Sequence, residues 1–169
     1  MKRGLLLCLL CVALFAFASQ VAFAASDISV TVTLQNLGVS VSPVSWGIGT
    51  VAAGASKSTW SSSVAGHFTA TNTGNVAESF TVSAGSTSPS GWSAGSSSAV
   101  NVYVIGFGKG TPAYTVEPSY TTFTGSGSLA SSVAASSAVD FDLKFTAPAA
   151  GSTISAQETF SVSLSAAAA

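Results

Sequence analysis

Apolar and polar residues alternate with a period of two along most of the chain. Ile28, Val30, Val32 and Leu34 alternate with Ser29, Thr31 and Thr33. Phe68 and Ala70 alternate with His67, Thr69 and Thr71, and Phe80 and Val82 with Ser79, Thr81 and Ser83. Val100, Val102 and Val104 flank Asn101 and Tyr103. Val139, Phe141, Leu143 and Phe145 alternate with Asp140, Asp142 and Lys144, and Phe160, Val162 and Leu164 with Ser161, Ser163 and Ser165. Each run predicts a strand that buries one face and shows hydroxyls on the other. The abundant Val and Thr suit a pleated surface. No helix-length window places apolar residues at i, i+3, i+4 and i+7.

Turn formers separate these runs. Asn72-Thr73-Gly74-Asn75 links two strands through residues that tolerate positive φ. Ser88-Pro89-Ser90-Gly91, Gly106 to Pro112 and Pro148-Ala149-Ala150-Gly151 punctuate the rest. Ala130 to Ala138 could form a short helix, but its serines and the strong strand after it favour a loop or strand entry. Ala166 to Ala169 is expected to be a frayed tail. Strands at this spacing predict an all-β, antiparallel sandwich of about seven to nine strands.

The N-terminus has a separate design. Lys2 and Arg3 precede an apolar run from Leu5 to Phe17, and Ala22-Phe23-Ala24 supplies a small-x-small cleavage pattern. Residues 1–24 are therefore expected to be a signal peptide cut after Ala24, and residues 25–169 a single domain. Ser19-Gln20 ends the apolar run well short of the roughly 20 residues a membrane helix needs, so no span is expected once the signal is removed. Cys8 and Cys11 both lie in this segment, each after a leucine rather than the small residue a lipidated cysteine requires. The mature chain has no cysteine and must be stable in an oxidising compartment without disulfides. The expected location is extracellular, cell-surface or periplasmic. No C-terminal sorting anchor is legible.

Charge narrows the function classes. In the mature chain Lys57, Lys109 and Lys144 stand against Asp27, Glu78, Glu117, Asp140, Asp142 and Glu158, a net charge of −3. Nucleic-acid binding is not expected from that balance. The mature chain's 31 Ser and 17 Thr supply its polar surface instead of ions. Such a surface repels its neighbours weakly, which leaves self-association open.

Two segments carry a family resemblance. Val41-Ser-Pro-Val-Ser-Trp-Gly-Ile-Gly-Thr-Val-Ala-Ala-Gly54, followed by Phe68-Thr-Ala-Thr-Asn-Thr-Gly-Asn75, resembles the start of bacterial immunoglobulin-like domains related to the ASPM/SPD-2/Hydin type. Phe141-Asp-Leu-Lys-Phe-Thr-Ala-Pro-Ala-Ala-Gly151 resembles their late strand and turn. The resemblance covers most of Val39 to Leu164, with Trp46 where Phe is usual and Gly106 to Thr124 as an extra excursion. It implies an immunoglobulin-like sandwich of secreted or surface proteins, and no catalytic residue.

Catalytic patterns fail one by one. Gly91-Trp92-Ser93-Ala94-Gly95 fits G-x-S-x-G, but that elbow needs a following helix and a later histidine. The sole histidine, His67, lies upstream and is expected to be a solvated strand residue opposite Phe68. One histidine and no mature cysteine cannot fill a zinc site. Asp140 and Asp142 share a strand face with Lys144, which predicts a solvated, partly charge-balanced stripe rather than a calcium site. Gly106 to Thr111 hints at a phosphate loop, but Tyr103 stands where the pattern requires glycine. No catalytic residue, metal or cofactor is therefore expected.

Aromatic residues remain. Trp46 and Trp92 are expected to anchor loops. Trp60, among Ser58, Thr59 and Ser61, and then Tyr114 and Tyr120 are candidates for exposed faces that contact a ligand, since such rings offer apolar area with a polar handle. The chain is thus expected to be a non-enzymatic structural or surface protein whose partner is itself, through strand addition at a sheet edge, or a surface component. Both Ile28 to Leu34 and Thr159 to Leu164 suit such addition. The alternative is a carbohydrate- or ligand-binding module, with a polysaccharide on Trp60, Tyr114 and Tyr120.

Overall fold

The computed structural model describes residues 31–60, 67–109, 116–153 and 157–169. Ten strands run through them: β1 Val39–Ser42, β2 Ser56–Ser58, β3 Phe68–Asn72, β4 Glu78–Ala84, β5 Ser93–Ala94, β6 Val102–Lys109, β7 Thr121–Thr122, β8 Ser126–Val133, β9 Ala138–Thr146 and β10 Val162–Ala168. There is no helix among the described residues. The signal segment, residues 1–24, lies outside them, as do Tyr114 and Ile28 to Val30.

The strands form two sheets. The larger has the order β1-β3-β9-β6-β5, with β2 added to β9 and β7 to β6; the smaller has the order β10-β4-β8. β3 pairs with Ala138–Phe141 of β9, and β2 with Lys144–Thr146 of the same strand. β6 pairs with β9 from Lys109 opposite Phe141 to Val104 opposite Thr146. Thus β2 and β3 share one edge of β9. All strand pairs are antiparallel except β5 with β6, where the expectation of a purely antiparallel architecture fails.

Period-two alternation delivers the core. Phe68 and Ala70 of β3, Ile105 and Phe107 of β6, and Phe141, Leu143 and Phe145 of β9 face Phe80 and Val82 of β4 and Leu129, Ala130 and Val133 of β8 in one buried cluster. Phe68 and Phe141, register partners, stack with ring centroids 5.5 Å apart. Burying each such side chain contributes roughly 1.5–3 kcal/mol. Tyr103 is fully buried between Phe145 and Phe160, and its hydroxyl donates to the Gly85 carbonyl beyond β4. One side chain thereby ties the larger sheet to the end of the smaller one.

β6 departs from half-burial, because residues 103–108 are all buried. The expected turn from Gly106 is instead strand as far as Lys109. A Cβ on Gly108 would lie 2.9 Å from Pro118 Cβ and from the Ser119 carbonyl oxygen, and one on Gly106 3.1 Å from the Thr121 carbonyl oxygen. The two glycines leave a bare track on the outer face of β6. The strap from Pro118 to β7 lies in it.

Two further expectations are corrected, and the preference for loop and strand over helix at Ala130 to Ala138 holds. Thr31 to Leu34 is not strand, and Val32 and Leu34 are 76% and 82% exposed. No neighbouring strand pairs with this segment among the described residues, and alternation alone does not hold a strand. Ala166 to Ala168 is not a frayed tail but the end of β10, opposite Phe80, Ser79 and Glu78. Ala130 to Ala138 divides between β8, a turn and β9, the turn carried by Ser136 at φ 62°.

Candidate functional site

Two places stand out: a polar well on the outer face of β9, and an apolar cleft between β1 and β10. In the well, the outer-face position Asp142 is fully buried rather than solvated. Thr59, the first residue past β2, donates its hydroxyl to Asp142 Oδ1 at 2.6 Å and accepts the Leu143 N–H at 3.0 Å. The Thr59 N–H donates to the Leu143 carbonyl at 2.9 Å. His67, where the chain returns to the sheet, sets Nδ1 at 3.1 Å from both Asp142 oxygens. His67 is therefore held in an ion-pair geometry rather than simply solvated. Thr59, just past β2, and His67, just before β3, thus meet on one carboxylate.

The predicted contact aromatics border this well. The Trp60 ring lies 5.8 Å from that of His67, and Trp60 is half-buried. Tyr120 is half-buried too, with Lys144 Nζ 5.2 Å from its ring centroid. Its hydroxyl oxygen is buried and completes no hydrogen bond of good geometry among the described residues. Burial pushes the phenol up to about 12; Asp142 and Glu117 add to the rise, and Ser58 opposes it. Ser58 donates to Glu117 Oε1 at 3.4 Å. The structure thus groups Trp60 and Tyr120 around Asp142 and His67, and Tyr114 lies outside the described residues. The well orients an imidazole against a carboxylate. Ser93 is elsewhere: it sits on β5 opposite Val102, beyond the Thr146 end of β9 and away from Asp142. Among the described residues, no group of three His, Cys, Asp or Glu could hold a metal ion.

The second place is a cavity of about 310 Å³ between the two sheets. Val41, Trp46 and Ile48 form one wall, Phe160, Val162 and Leu164 the other, and Phe68, Phe141 and Leu143 lie at depth. The cause is topological. β1 ends the larger sheet and β10 ends the smaller one, so no strand among the described residues covers the gap between them. The inward residues of β3 are buried, whereas Val39 and Val41 of β1 and Val162, Leu164 and Ala166 of β10 are only partly so. Period-two alternation identified the wall residues; which strands would be edges was not legible from one chain. No family model, curated protein or solved structure matches this chain.

Proposed function

We propose that the chain is an exported, non-enzymatic structural or surface protein, built as one immunoglobulin-like sandwich and acting through self-association or attachment. The single observation that carries this reading is the apolar cleft between β1 and β10, two edge strands whose outer edges no described strand pairs. Unpaired edges are templates for another chain, and proteins usually blunt them with charge or proline. Neither β1 (Val-Ser-Val-Ser) nor β10 (Val-Ser-Leu-Ser-Ala-Ala-Ala) carries a charge. The Ser/Thr-rich surface and the resemblance to immunoglobulin-like domains of secreted proteins support the same reading. The carbohydrate-binding alternative draws less support, because Lys144 sits over the Tyr120 ring and the Tyr120 hydroxyl is buried within the fold.

The test is the mass of Ala25 to Ala169 by light scattering across a concentration series. Growth into oligomers or filaments supports the proposal. A monomer at every concentration that also binds no cell surface overturns it, and binding to a polysaccharide panel would then favour the alternative.

A further inference from the structure

We draw no further inference here: the strongest candidate, the apolar cleft between β1 and β10, specifies no occupant, since nothing in the described residues shows what covers it.

Discussion

Thr59 Oγ1 lies 2.6 Å from Asp142 Oδ1 and accepts the Leu143 N–H at 3.0 Å, so one hydroxyl serves a buried carboxylate and a buried amide at once. Thr59→Val keeps the shape and removes both bonds. Bonds to charged groups contribute about 1.5–3 kcal/mol, and an orphaned buried partner adds its desolvation cost. The expected loss is about 3 kcal/mol by urea denaturation. Thr59→Ser, which keeps the hydroxyl, should lose less than about 1 kcal/mol. Equal losses in the two variants would show that packing, not the hydroxyl, matters at this position.

The bare track on β6 gives a second expectation. In Gly108→Ala the new methyl would fall 2.9 Å from Pro118 Cβ and the Ser119 carbonyl oxygen, so the strap must lift or the strand must bend. Overpacking of this kind costs about 1–3 kcal/mol. Gly125→Ala is the control, because a Cβ there meets nothing within 4 Å. Thermal melts of both variants decide it: a Gly108→Ala melt matching that of Gly125→Ala would refute the packed strap.

The same glycines mark the limit of what the sequence discloses. Period-two alternation located the inward faces of β3, β4 and β9, because burial on one face leaves its record every second residue. It misread Gly106 to Lys109 as a turn, since glycine marks both turns and close backbone approach. Asp140, Asp142 and Lys144 shared an outer face as expected. However, the burial of Asp142 depends on Thr59 and His67, 83 and 75 positions away, and local pattern carries no such information. Trp60 and Tyr120 were singled out singly, and their common neighbourhood around Asp142 emerges only from pairing β2 and β3 with one edge of β9 and laying the strap that carries Tyr120 across β6.

Alkaline pH should act through Tyr103 and Tyr120. Burial raises both phenols from 10.0 to about 12. In the window between those values the unfolded chain has released protons that the folded chain still holds. Stability is therefore fully present below pH 10 and is lost as pH rises through about 12. Spectrophotometric titration of tyrosinate absorbance, run beside circular dichroism, should show ionisation of these two residues together with loss of β-structure. Tyr120→Phe should weaken this alkaline dependence and leave neutral-pH stability unchanged or slightly higher, because the buried phenol oxygen it removes completes no good hydrogen bond among the described residues. A clear loss of stability at neutral pH would argue that the hydroxyl has a role in the well.

Asn72 provides the most demanding case. It is fully buried at the end of β3, and its side-chain amide donates to the Val76 and Val133 carbonyls at 2.8 Å each, while Oδ1 accepts the Gly74 N–H at 2.8 Å. One side chain thus holds the β3–β4 turn to itself and to the end of β8. Asn72→Ala removes three bonds and leaves the buried Val133 carbonyl and the half-buried Val76 carbonyl short of a donor, an expected loss of about 3 kcal/mol. Asn72→Asp is isosteric and keeps the acceptor for Gly74, yet it turns both donors into an oxygen facing two carbonyls. Repulsion and a buried, unpaired charge then add to the lost bonds. Asp should therefore be worse than Ala at neutral pH, although it is closer in shape. Urea midpoints of the two variants check this order, and the reverse order would mean that volume rather than donor geometry governs the turn.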